Sequence, residues 1–117
     1  MAQPAHIKTF LAPAPVAGMK LVTFGAADGE VAAASAVSDT LIGVSERIGS
    51  RDNNRVDVIV GGIAKVTAGG NITRGNILTT DASGNAVASS AGTDRVVGIA
   101  LQSAVAGDII EVLIAQG

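Results

Sequence analysis

A chain of 117 residues with a net charge of −2 and 15% charged residues has room for one compact domain and carries no basic field for nucleic acid. Its apolar stock is Ala, Val, Ile and Leu, with Phe10 and Phe24 the only aromatics, which also speaks against base stacking and aromatic sugar platforms. Cysteine is absent; this removes disulfides and thiolate chemistry and fits a reducing compartment.

Residues 1–18 read as an extended N-terminal arm. Pro4, Pro13 and Pro15 fix φ and push their predecessors toward extended backbone. Pro13 and Pro15 also interrupt the apolar stretch that a signal peptide would need. No segment reaches the roughly 20 apolar residues of a membrane helix. Between the prolines, "HIKTFL" alternates apolar and polar residues, and Ile7, Phe10 and Leu11 are placed to anchor the arm on a surface. A tail, disordered or packed back on the body, is the competing reading, and the residues do not decide between them.

From Gly18 onward, short runs rich in Val, Ile and Thr alternate with Gly, Asn, Asp and Ser clusters. The pattern predicts strands at 19–24, 30–34, 41–47, 55–60, 63–67, 77–80, 86–89, 95–101 and 108–114. "RVDVIV" alternates with period two, so Val56, Val58 and Val60 share a face. No long helical period with caps occurs; there is room for a short helical turn near 70–76 or 102–106.

The chain then says much the same thing twice. Leu21-Val22-Thr23 aligns with Ile77-Leu78-Thr79, and Val31-Ala32 with Val87-Ala88. "LIGV" at 41–44 aligns with "VVGI" at 96–99, and "VDVIV" at 56–60 with "IEVLI" at 110–114. Two β units, each too small to bury its apolar face alone, would pack together. The expected fold is mainly β: a small β-barrel or sandwich of two pseudo-repeats, about 20–62 and 76–117, in one domain (19–117) behind the arm. A glycine inside each third strand marks a bulge, a bend or close backbone approach. A core of small branched side chains buries little area per residue, which favours an oligomer.

The residues offer no enzyme. His6 is the sole histidine and stands in the arm, and one His without Cys makes no zinc site. Asp28, Asp39, Asp52, Asp57, Asp81, Asp94, Asp108 and Glu111 sit mostly at turns or strand ends, where carboxylates bond their own backbone. Asp57 and Glu111 would have to meet across the halves to act as an acid/base pair. "GGNITRGN" has the glycines of a phosphate loop without the lysine and hydroxyl that should follow, and "NIT" is a glycosylation sequon by pattern only. Arg47, Arg51 and Arg55 surround a polar loop that either contacts an acidic partner or is simply solvated. No catalytic, cofactor-binding or metal site is assigned.

"TFLAPAPVAGMKLVTFGAADGEV", "AKVTAGGNITRGNILTTDASGNAV" and "VVGIALQSAVAGDIIEVLI" resemble the small capsid cement, or decoration, proteins of tailed bacteriophages, from about Thr9 to Ile114. The resemblance rests on glycine and turn patterns. It implies a structural protein of the virion, made in the host cytoplasm and carried on the outer capsid surface. Homotrimers would bridge major capsid protein subunits beside neighbouring decoration subunits, with no cofactor, nucleic acid, membrane or small-molecule substrate. On this sequence the capsid-binding residues would be Ile7, Thr9, Phe10 and Leu11, assigned on physical grounds. A small-ligand or carbohydrate-binding β module of a phage tail or attachment protein is the alternative.

Overall fold

The structure, a computed structural model, describes residues 6–51, 54–90 and 94–114. Pro4 and Asp52, both noted in the sequence, lie outside them. Among the described residues there are nine strands and no helix: β1 (His6–Leu11), β2 (Leu21–Phe24), β3 (Val31–Ala33), β4 (Gly43–Ser45), β5 (Arg55–Thr67), β6 (Ile77–Thr80), β7 (Ala86–Ala88), β8 (Gly98–Ala100) and β9 (Ile109–Ile114). Every pairing between them is antiparallel, and the ladders join into one curled sheet that forms a half-barrel.

The organising element is β5, 13 residues long. Its first part pairs with β1 and β4, and its second part, Gly62–Thr67, with β9. The sequence reads as two strands broken at Gly61-Gly62, whereas the backbone runs through. Gly62 holds φ at +88°, a conformation that glycine adopts without a Cβ clash. Next to it the β1 register slips between His6 and Ile7. The strand thus bends and changes partners without a turn.

The ladders repeat as the sequence does. Val22 faces Ala33 and Gly43, as Leu78 faces Ala88 and Gly98. Val44 faces Ile59, as Ile99 faces Leu113. The relation also takes in β1: Leu11 faces Arg55 and Thr9 faces Asp57, as Thr67 faces Ile109 and Lys65 faces Glu111. The first half is therefore the array β1-β5-β4-β2-β3, and the second is β5-β9-β8-β6-β7. One detail differs from the sequence alignment. Val31 lies opposite Phe24 and Ala86 opposite Thr80, so the twin of Val31 is Ala86, not Val87. The first hairpin loop, 25–30, is one residue longer than its counterpart, 81–85.

The glycines of the two third strands have a shared cause. A Cβ built on Gly43 would stand 2.1 Å from the Ile59 carbonyl oxygen, and one on Gly98 would stand 1.9 Å from that of Leu113. Both strands therefore need a residue with no side chain.

Burial follows strand alternation. Val22, Val31, Val56 and Val58 form one core with Ala12 and Val16, and partly buried Phe10, Ile42 and Val60 pack against it. The larger core gathers Val66, Leu78, Val97, Ile110 and Val112 of the second half. Leu21, Val44 and Ile59 join it from the other face of the first half. One half thus lends its outer face to the core of the other. The segments around 70–76 and 102–106 are loops with single reverse turns, in which Asn76 N–H donates to Thr73 O and Asp108 N–H to Val105 O. An Ile72–Ala104 bridge ties the two loops together.

Candidate binding surfaces

Strand β1 forms the side of the first half opposite β4. Among the strands it pairs with β5 alone; its other edge is met at Leu11, whose N–H donates to Gly29 O. Ile7, Thr9 and Leu11 point to one side by alternation, and all three are exposed. Phe10 points to the other side, where it packs on the Val56–Val58 core and carries the Lys8 ammonium 5.6 Å from its ring centre. The four arm residues therefore divide: three present a surface and one pins the strand down.

Thr9 Oγ1 donates to Asp57 Oδ1 at 2.7 Å. Arg51 reaches the same carboxylate with Nη1 at 3.0 Å and Nη2 at 3.3 Å. The Arg51 hydrogen bond, then that of Thr9, holds the Asp57 carboxyl below its ordinary value, and Asp57 in turn raises Arg51. Arg51 is thus engaged within its own chain, and the arrangement ties β1 to β5 at the surface.

Three other carboxylates act in turns. Asp39 accepts from Ser35 and Ala36 N–H, Asp81 from Ser83 and Asn85 N–H, and Asp108 from Val105 N–H. Asp57 and Glu111 hold twin positions in separate ladders, opposite Thr9 and Lys65. In "GGNITRGN" the Thr73 amide donates to the Asn76 side chain and the Arg74 amide to Ser103 of the facing loop, so both donors are spent within the chain. His6 lies at the exposed start of β1, opposite Gly61.

A concavity of about 570 Å³ is lined by Met19, Arg47, Lys65, Ile109 and Glu111 among others. Its charges are mixed, and it gathers no nucleophile–base pair. Among the described residues no cluster of three or more His, Cys, Asp or Glu could hold a metal ion. No helix among them is long and apolar enough to cross a membrane.

Exposed apolar side chains are the more telling feature. Ile77, Ile99 and Leu113 lie on neighbouring strands as successive register partners and form an outward stripe across the second half. Phe24, at the tip of the first hairpin, is 58% exposed. Sequence reasoning missed the stripe: "ILTT", "GIA" and "IIEVLI" show alternation, but alternation does not say which face stays open.

The fold defines a small all-β protein with an edge strand, an exposed apolar stripe and exposed loop tips. The phage cement protein family matches residues 2–116, and the chain belongs to that family. It is accordingly a structural protein of the phage head. Among solved structures it is similar to the head fiber gp8.5 N base of bacteriophage phi29, with a TM-score of 0.73 and 22% identity over 96% of this chain and 95% of that one. At that identity the likeness speaks for the fold. A search of curated proteins found no match.

Proposed function

We propose that the protein is a capsid decoration protein: a homotrimer bound to the outer surface of the phage head, where it bridges major capsid subunits without catalysis. Residues 1–18 serve as the contact arm and 19–117 as the body that carries it. The observation that carries this reading is the family match across nearly the whole chain.

The contact strand is β1. Ile7 and Leu11 supply apolar area, Thr9 lies between them, and Phe10 keeps the strand seated from beneath. A sheet edge recognises an extended partner through main-chain hydrogen bonds, with alternate side chains giving register. Many copies on a symmetric shell make a modest single contact sufficient.

The test is co-sedimentation with expanded heads of the phage that encodes it. Intact protein should bind saturably. Ile7→Glu, with an unchanged far-UV circular dichroism spectrum, should bind at least about tenfold more weakly, since an ionised carboxylate would be buried without a partner. Intact protein that fails to bind refutes the function; a variant that binds like the parent refutes the contact strand.

A further inference from the structure

We infer that the stripe Ile77–Ile99–Leu113 is covered by a second copy of this chain, whose first hairpin, Phe24 to Glu30, docks on it head to tail. This deepens the trimer part of the proposal above by naming its two surfaces, and rests on that proposal only for the number three.

The argument comes from comparing twin positions. Leu21, Val44 and Ile59 occupy in the first half the places that Ile77, Ile99 and Leu113 occupy in the second. The first set is 0%, 0% and 8% exposed; the second is 53%, 38% and 39%. The side chains are equally apolar. They differ in that the second half of the same chain covers the first set.

The covering contact can be read directly. The second hairpin approaches the end of the first set through Gly84. A Cβ on Gly84 would touch Ala34 O, Lys20 Cβ and Leu21 O at 3.4–3.5 Å. Leu21 N–H donates to Gly84 O at 2.7 Å, and the Lys20 ammonium bonds Asn85 Oδ1. The twin of that hairpin is Phe24–Glu30. Gly29 matches Gly84 in sequence and in a positive φ of 80° against 81°, yet a Cβ on Gly29 would meet nothing within 4 Å. Phe24 is 58% exposed, while its twin Thr80 is 1% exposed.

Gly29 O already accepts from Leu11 N–H of its own chain at 2.9 Å; what is left unmade is the approach of the hairpin to a stripe, so each chain carries both members of a contact that it makes once internally. The chemistry also matches: the twin of Lys20–Asn85 would be Asn76 facing Glu30, an amide N–H donor against a carboxylate. Two different surfaces of one chain make a heterologous interface, which closes into a ring when the rotation allows.

Mass photometry and sedimentation of the full chain should show a closed oligomer. Ile99→Glu spoils one surface and Phe24→Glu the other, at exposed positions, so each variant alone should be monomeric with the parent far-UV spectrum. Mixed one to one, they still hold one intact interface between them and should give a dimer and nothing larger. Ile77→Lys serves as the second stripe variant should Ile99→Glu lose its fold. Variants that keep the parent's mass, or a mixture that remains monomeric, overturn the inference. An Ile99→Glu protein that keeps its oligomer but loses head binding overturns it too, by assigning the stripe to the capsid. A parent that is monomeric yet binds heads refutes this inference and the trimer but leaves capsid binding standing; an oligomer that ignores heads refutes the capsid-binding function alone.

Discussion

Replacing Gly98 with alanine tests the close approach in the third strand of the second half. The new methyl would stand 1.9 Å from Leu113 O, whereas a relaxed carbon–oxygen contact needs about 3.3 Å. The ladder must open locally by roughly 1.4 Å, beyond what a hydrogen bond tolerates. The obstacle is backbone, so no side chain can swing aside. Strand β8 has only three residues, paired to β6 at two positions and to β9 at three, so it has little ladder to lose. Losing two or three net bonds at about 1 kcal/mol each, or accepting overpacking of about 1–3 kcal/mol, gives a destabilisation of about 3 kcal/mol. That corresponds to a fall in Tm of about 12 °C for a domain of this size. The chain has no Trp or Tyr, so unfolding is best followed by far-UV circular dichroism, with every protein at one concentration. Gly61→Ala is the control: its Cβ would sit 3.5–3.6 Å from His6 atoms, an ordinary contact, and its cost should stay within about 0.5 kcal/mol. If Gly98→Ala melts within about 2 °C of the parent, the steric reasoning is wrong.

Two further outcomes follow from the same geometry. Thr79 Oγ1 is buried with no hydrogen-bond partner among the described residues. Thr79→Val keeps the shape and removes the unsatisfied hydroxyl, so urea unfolding should show a gain of about 1 kcal/mol; a loss would mean that the hydroxyl has a partner. Asp57 is held below the ordinary carboxylate value by Arg51 and then Thr9. A depressed carboxylate contributes stability above its unfolded pKa, and the contribution fades as pH falls through the lower folded value. Asp57→Asn should therefore melt slightly below the parent near neutral pH, the gap closing as pH falls through and below the ordinary carboxylate range. It should also shrink in salt, since the pair is exposed. A gap that persists unchanged in acid would show that the charge is not its cause.

Much of the fold was legible in the residues. The Val/Ile/Thr runs and their turn formers placed β2 to β9, because a half-buried strand imposes its period directly on the sequence. The paired "apolar-apolar-Gly-apolar" strands disclosed the repeat, and their glycines proved to mark contact with a carbonyl oxygen. Gly61-Gly62 misled, since two adjacent glycines look the same whether they end a strand or let it bend. The shift at Val31 was hidden because a one-residue difference in loop length leaves an Ala/Val-rich alignment almost as good. "HIKTFL" gave its alternation but not its partner: a leading strand has the same sequence whether it pairs with its own sheet or a neighbour's. The open stripe was invisible for a related reason. Leu21 and Ile77 are chemically alike, and only the path of the whole chain leaves one covered and the other bare.

The bend in β5 has a topological corollary. His6 is paired with Gly61 and Ile114 with Gly62, so the first and last described residues both return to the midpoint of the same strand. A short linker could join them, and a new start cut at Gly61–Gly62 would leave every ladder its partners. In such a permuted chain β9 would run on into β1, as the two parts of β5 do now. The architecture thus resides in the cycle of pairings rather than in the point at which the chain opens it.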